Sequence, residues 1–266
     1  MNIYMELTQA FNVGGLRAIL SSGQAVVFHQ LAVMSKDGDW ILREDERTLQ
    51  HIRSVLAGRG AHYRFGAPLD LRWMRGGWSS HFEYRSVSLR VRTDFVTRPP
   101  RLTWEAMAAL WKAQEQEPFP VVGPRDLCEL KKTNRERDYA IIGELARLLE
   151  DPRDELLFSR SARDLTRLAG QHSDLVAELS SQRPVLELIA TGIESLESAL
   201  DAERRRLIHA NEARLGAYLE AAAGWREAWP SVEAEIKGLP LEQAHSLVVT
   251  RAEKILPFAP AEEAVP

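Results

Sequence analysis

The chain has 266 residues, of which 45% are hydrophobic and 27% charged, with a formal net charge of -4. This is an ordinary globular composition, and it excludes a strongly basic protein held to nucleic acid by its overall charge. The single cysteine, Cys128, excludes an intramolecular disulfide. Residues 1–10 lack the pattern of a signal peptide, and no apolar run is long enough to span a bilayer. We therefore expect a cytoplasmic protein that has no membrane partner.

Positive charge is concentrated in one part of the chain. Between positions 72 and 101 there are only two acidic residues, Glu83 and Asp94, against seven arginines (Arg72, Arg75, Arg85, Arg90, Arg92, Arg98 and Arg101). A local arginine field suits phosphates or RNA. The other interpretation is the solvated outer face of a sheet, and the sequence leaves both open.

The first part of the chain alternates predicted helices with short extended segments. Residues 5–20 are predicted as a helix leading into an apolar segment, and a turn over Ser21, Ser22 and Gly23 follows. Residues 24–34 begin as a second helix. A short strand is predicted over residues 37–42, and the spacing of Leu49, Ile52, Val55 and Leu56 predicts a helix over residues 44–56.

Residues 61–97 are rich in aromatic residues, valine and glycine, a composition that predicts a sheet. Gly76-Gly77 is predicted as a hairpin turn. Residues 86–95 alternate, so that Val87, Leu89, Val91 and Phe95 face one way and Ser88, Arg90, Arg92 and Asp94 the other. A helix is predicted over residues 103–116.

Beyond position 125 the leucines and alanines recur almost wholly at helical spacing. The sequence therefore predicts an α+β protein, with a small mixed-sheet core over residues 1–120 and a helical C-terminal domain over residues 121–256. The Pro, Ala and Glu composition of residues 257–266 predicts a disordered tail.

Three carboxylates stand in a pattern typical of metal-dependent chemistry. Asp37 and Asp39 are two residues apart at the start of a strand, so both project from one face. Adjacent like charges favour a cation between them, and hard oxygen ligands suit Mg²⁺. Asp94 lies on the polar face of a second predicted strand. Asp37, Asp39 and Asp94 are therefore the candidate metal ligands and catalytic residues.

The order of these features resembles the polymerase-beta-like nucleotidyltransferase superfamily. Ser22-Gly23-Gln24-Ala25 is similar to its small-residue motif before a helix, and Ser35-x-Asp37-x-Asp39 to its metal-binding motif. Within the superfamily, the abortive-infection (type IV toxin) nucleotidyltransferases look most similar. They carry a helix with a Lys, Arg and Asp pattern, which Lys131, Arg135 and Asp138 match at i, i+4 and i+7.

The resemblance implies a Mg²⁺-dependent transfer of a nucleoside monophosphate from an NTP to an acceptor hydroxyl on RNA, protein or a small molecule. It implies nucleotide contacts from Ser22, Gly23, Ser35, Lys131, Lys132 and Arg135. It also implies a toxin or defence role, with an antitoxin as a partner. Two alternatives are a catalytically inactive nucleotide-binding module on the same fold and a mainly helical interaction protein.

Each candidate residue also has a structural interpretation. Asp37-Gly38-Asp39 is also compatible with a surface turn, and Asp94 with an ion pair to Arg90 or Arg92. Asp70 is a rival for the third carboxylate. Lys131 and Lys132 are also compatible with a solvated helix face.

Overall fold

The computed structural model describes residues 2–87 and 89–260, and these form two compact units. The first unit takes the described residues of Met1–Val122 and Leu215–Pro266, and the second is Gly123–Arg214. Of the predicted helical domain, residues 215–256 thus belong with the sheet. None of the described helices is long and apolar enough to cross a membrane.

The first unit is built on a five-stranded mixed sheet in the order β1-β2-β5-β4-β3. Among these five strands, β2 and β5 pair in parallel, and the other neighbours are antiparallel. The strands are β1 (Ala18–Ser21), β2 (Asp37–Leu42), β3 (His62–Tyr63), β4 (Ser80–Ser86) and β5 (Leu89–Val96).

Helices lie before, between and after these strands. In the first unit they are α1 (Ile3–Phe11), α2 (Ser22–Phe28), α3 (Glu46–Ala57), α4 (Leu71–Arg75) and α5 (Trp104–Ala113), joined from the C-terminal part by α12 (Ala223–Ile236) and α13 (Leu241–Ala252). The α+β class is confirmed, as is a C-terminal region made of helices. The predicted strand over 37–42 and the predicted helix over 44–56 are also confirmed, as β2 and α3.

Alternation of side chains along the strands separates the sheet into an apolar and a polar face. Trp40 of β2 and Phe95 of β5 are both fully buried, and their rings stack with centroids 5.6 Å apart. Phe11 of α1 packs edge-on against both rings. The Trp40 indole N–H donates to Thr8 Oγ1 at 2.9 Å, so the buried ring carries no unmet donor.

Several local predictions differ from the structure. Of residues 5–20, predicted as a helix leading into an apolar segment, the helix ends at Phe11, and residues 18–21 form β1 because the apolar run there lies wholly buried against β2. The predicted turn over Ser21, Ser22 and Gly23 is instead the end of β1 and the start of α2. Gly76-Gly77 follows α4 instead of joining two strands. The hairpin joins β4 to β5, with Ser86 paired to Leu89; Ser88, predicted on the polar face, lies outside the described residues.

The start of the predicted disordered tail is packed onto the first unit. The Trp78 indole donates to the carbonyl of Pro257 at 3.0 Å, and the Phe258 ring packs against Trp73. Residues 261–266 of that tail lie outside the described residues.

The second unit is helical. Its helices are α6 (Pro124–Leu130), α7 (Glu136–Ala146), α8 (Pro152–Phe158), α9 (Ala162–Gln171) and α10 (Ser173–Leu179), followed by a 3₁₀ helix (Pro184–Thr191) and by α11 (Ile193–Ala221), within which the boundary between the units falls. Its apolar cluster includes Leu156, Leu165, Leu168, Leu186 and Leu196. A buried ion-pair group accompanies it, in which Arg160 and Arg183 both contact Glu203.

We expect His245 to make the protein less stable in mild acid. The imidazole Nδ1 lies 2.8 Å from the Tyr63 hydroxyl, and burial together with the positive charge of Arg53 lowers the pKa of His245 from 6.5 to about 4. The unfolded chain therefore binds a proton that the folded chain rejects, so the unfolding free energy falls as pH drops from about 6.5 to 4. The loss is about 3 kcal/mol, which urea titration across this range measures.

Replacing His245 by Asn keeps an acceptor near Tyr63 and removes the titration, so the variant should show a flatter pH dependence. His209, which is exposed on α11, supplies the matched control as His209→Asn. If the unfolding free energy of His245→Asn and of the parent depended equally on pH, the loss of stability in acid could not be assigned to His245.

Candidate active site

The polar face of the sheet brings the three predicted carboxylates onto adjacent strands. In the parallel β2–β5 pair, Asp39 is the register partner of Asp94 and Asp37 that of Arg92. Register partners project from the same face, and residues two apart on one strand do so as well. Asp37, Asp39 and Asp94 therefore share the face opposite Trp40 and Phe95.

The environments of these carboxylates differ. Asp94 Oδ1 lies 2.8 Å from His81 Nδ1 and 3.3 Å from a guanidinium nitrogen of Arg64. Asp37 Oδ1 is buried and accepts no hydrogen bond from the described residues; Arg92 Nη1 is 3.7 Å away. An oxygen so placed is a ready ligand for a cation.

His81, Glu83 and Arg64 complete the polar face and were not singled out from the sequence as site residues. His81 and Glu83 are register partners of Asp94 and Arg92 across the β4–β5 pair. The period-two alternation of residues 80–86, with Ser80, Phe82 and Tyr84 buried, was the signal for this strand. Arg64 lies just after β3, where no periodicity marks it.

Glu83 neutralises much of the positive charge on this face. It lies 2.6 Å from Arg90, 3.7 Å from Arg64 and 3.3 Å from His62. Burial raises the pKa of Glu83, but the hydrogen bond and charge of Arg90, with the charge of His62, outweigh it and hold that pKa below its usual range. The Glu83 carboxylate therefore stays negatively charged beside Arg90 and Arg64.

The arginines between positions 72 and 101 are largely paired within the first unit. At least five of the seven contact carboxylates: Arg72 with Asp70, Arg75 and Arg98 with Glu44, Arg90 with Glu83, and Arg92 with Asp37. This differs from an open field of charge for RNA phosphates, because each pair removes positive charge from the surface. Asp94 pairs with neither Arg90 nor Arg92.

Asp70, the rival third carboxylate, serves the start of α4. Its side chain accepts from the backbone N–H of Arg72 and pairs with the Arg72 guanidinium. The Asp70 carboxylate therefore caps a helix, and Asp70 has no place in the β2–β5 pairing that brings Asp39 and Asp94 together.

The segment before β2 is held close to the first turn of α2. Ser22 has a left-handed φ of 52°, a conformation that glycine adopts most readily. A Cβ on Gly23 would lie 2.2 Å from Ser35 Oγ, so only glycine permits this approach. The Gln24 amide donates to the Ser35 carbonyl at 2.9 Å. Ser22, Gly23 and Ser35 thus meet in one small region.

The basic residues predicted to bind the nucleotide lie in the second unit. A single helix over Lys131, Arg135 and Asp138 was predicted, but α6 ends at Leu130 and α7 begins at Glu136. The three side chains still meet: Lys131 Nζ is 3.6 Å and Arg135 Nη2 3.0 Å from Asp138. Lys131 is buried, and Lys132 pairs with Glu129 at 2.8 Å.

Within residues 2–87 and 89–260, no three histidine, cysteine or acidic side chains are grouped closely enough to form a metal site by themselves. Mg²⁺ characteristically takes one or two protein carboxylates and completes its shell with water and substrate phosphates. The donors that could take part are the Asp37, Asp39 and Asp94 carboxylates.

Comparison with known proteins identifies no family for this chain. No family model matches it, and no curated protein does. A crystal structure from H. pylori, named "putative nucleotidyltransferase", matches with a TM-score of 0.38 and 12% identity, covering 79% of this chain and 96% of that chain. A TM-score this low does not establish a shared fold.

Gly38→Ala should destabilise the protein and disturb the carboxylate pair that flanks it. A Cβ at this position would lie 2.4 Å from Tyr4 Cδ1 and 2.5 Å from the Trp40 ring. Overpacking of this kind costs about 1–3 kcal/mol, measured by urea unfolding. Gly216 in α11 has open space around it, so Gly216→Ala is the control and should stabilise by up to about 1 kcal/mol. Equal effects of the two substitutions would contradict the packing at Gly38.

Lys131→Met should lower the unfolding free energy by about 2 kcal/mol, since it removes one partner of a buried ion pair while Arg135 and Thr133 still contact Asp138. The exposed Lys112 supplies the control variant, Lys112→Met, which should be nearly neutral. If Lys131→Met were as stable as the parent, the lysine would have no structural role and nucleotide contact would be its stronger explanation.

Proposed function

We propose that the protein is a Mg²⁺-dependent nucleotidyltransferase whose active site is the polar face formed by β2 and β5. The observation that carries the proposal is the register of Asp39 opposite Asp94, with Asp37 two residues before Asp39 on the same face. Carboxylates on neighbouring strands are a suitable support for metal-assisted displacement at phosphorus.

The fit of a magnesium ion to these residues is supported by Asp37 Oδ1, a buried oxygen that accepts no hydrogen bond from the described residues. Asp37 and Asp39 would hold the ion, and Asp94 would share in binding it. When bound, the ion neutralises charge on the phosphates and on the leaving group. The protein's own task is then positioning and electrostatic stabilisation.

In the proposed reaction, the acceptor hydroxyl oxygen forms a bond to the α-phosphorus of the NTP. The bond from that phosphorus to the bridging oxygen breaks, and pyrophosphate leaves with the electron pair. Asp94 helps to activate the acceptor and takes up its proton, while Arg64 and His81 hold this carboxylate in place. The acceptor is RNA, a protein or a small molecule.

The triphosphate is proposed to lie against Ser22 and Gly23, beside Ser35. Support comes from the close packing of Gly23 against Ser35, which brings the first turn of α2 next to the segment that precedes β2. Contacts from Lys131, Lys132 and Arg135 stay a prediction, as do the cytoplasmic location and the toxin or defence role with its antitoxin.

A second candidate function is a nucleotide-binding module without catalysis. The specific observation in its favour is that Asp94 is already engaged by His81 at 2.8 Å and Arg64 at 3.3 Å. Such a module would bind NTP in the presence of Mg²⁺ and transfer nothing.

The test is incubation of the protein with each labelled NTP, Mg²⁺ and either total RNA or total protein. We expect transfer of label that Asp39→Asn abolishes, because one metal-binding carboxylate is lost. Glu46→Gln, which removes an exposed acid from α3, is the matched control and should retain full transfer. Turnover of Asp39→Asn at the parent rate would contradict the metal assignment. Mg²⁺-dependent NTP binding without transfer would favour the second candidate.

A further inference from the structure

A groove of about 770 Å³ opens beside the polar face, entirely within the first unit. It lies among the first turn of α1, helix α2, the loop that precedes β2, the end of β4 and the start of β5. Its lining includes Tyr4, Met34, Ser35, Lys36, Leu89 and Arg92. The three carboxylates of the proposed active site are not part of this lining.

Large apolar side chains of the groove stand in solvent. Val33 is 98% exposed, Met34 74% and Leu89 51%. Single exposed apolar residues are common on protein surfaces, but here two consecutive ones and a third line the same groove. Exposed apolar groups gathered around a recess are typical of a surface that another molecule covers.

The groove is also cationic. It is lined by Lys36, Arg90 and Arg92, against a single acidic residue, Glu6. Arg90 pairs with Glu83, but the contacts of Arg92 to Asp37 and Glu83 are long, at 3.7 and 3.9 Å. Lys36 is exposed and pairs with no acid of the described residues. Charge complementarity therefore favours an acidic occupant.

We propose that this groove docks a partner protein through a segment that combines apolar side chains with carboxylates. The apolar side chains would cover Val33, Met34 and Leu89, while the carboxylates would meet Lys36 and Arg92. A small molecule held in the recess would leave Val33 in solvent, since this side chain is almost completely exposed. Methionine and arginine are also residue types enriched at protein interfaces.

Such a partner would lie against the segment that enters the proposed active site. Ser35 Oγ donates to the carbonyl of Asp37 at 3.4 Å, and Arg92 contacts the Asp37 carboxylate. A partner docked in the groove would therefore also cover part of the Asp37 side chain. The docking proposal is independent of the proposed nucleotidyl transfer, because peptide binding is measured without any turnover.

The experiment selects binders for the full chain from a display library of random linear peptides. Val33 and Met34 are replaced by serine in a double variant, and Lys36→Glu reverses the charge. The matched controls are Val13→Ser and Lys112→Glu, which change an exposed apolar residue and an exposed lysine outside the groove. Circular dichroism checks that all four proteins are folded.

We expect the enriched peptides to carry several apolar residues together with Asp or Glu. Their affinity, measured by fluorescence anisotropy, should fall by about tenfold or more in both groove variants and stay unchanged in both controls. Added salt should weaken binding to the parent protein, because the contact is partly between charges.

Three outcomes would overturn the proposal. The first is enrichment of peptides without acidic residues, and the second is enriched peptides that bind the groove variants as well as the parent. The third is a failure of any peptide to enrich while vesicles of phosphatidylcholine and phosphatidylserine bind the parent and not the double variant. That result would assign the surface to an anionic membrane instead.

Discussion

The stacking of Trp40 on Phe95 is the contact on which the rest of the first unit depends. Because side chains alternate along a strand, burying these two rings on one face places Asp39 and Asp94 together on the other. A slip of one residue between β2 and β5 would put the two rings on opposite faces, so that one of them would lie on the polar face. The cost of exposing that aromatic side chain therefore maintains the spacing of the carboxylates.

Helix α1 connects this apolar core to the edge of the polar face. Its Phe11 packs on Trp40 and Phe95, while its N-terminal turn reaches the segment before β2. The Tyr4 hydroxyl donates to the carbonyl of Lys36 at 2.6 Å, and burial and the charge of Asp37 raise the pKa of this tyrosine. One helix thus supports both the packing and the entry to the carboxylate strand.

Charge is handled differently on the polar face and in the groove beside it. On the polar face, Glu83 and Asp94 hold Arg64, Arg90 and His81 in a paired network, so this surface is organised before any ligand arrives. In the groove, Lys36 and the exposed Val33 and Met34 are not paired or covered in this way. The first arrangement suits chemistry on a bound substrate, and the second suits association with another molecule.

The sequence by itself determined the α+β class, the strand that begins at Asp37, and the alternation that puts Asp94 on a polar strand face. These are local properties, since a period of two or of 3.6 residues is written in neighbouring side chains. Only the tertiary structure decided that β2 and β5 are adjacent and parallel, because that pairing joins residues more than 50 positions apart. It also decided which charges meet: Lys131, whose spacing suggested an open helix face, is buried against Asp138, because the helix ends at Leu130 and the chain turns back on itself. Long-range burial and partner choice depend on packing between distant segments, which no local pattern encodes.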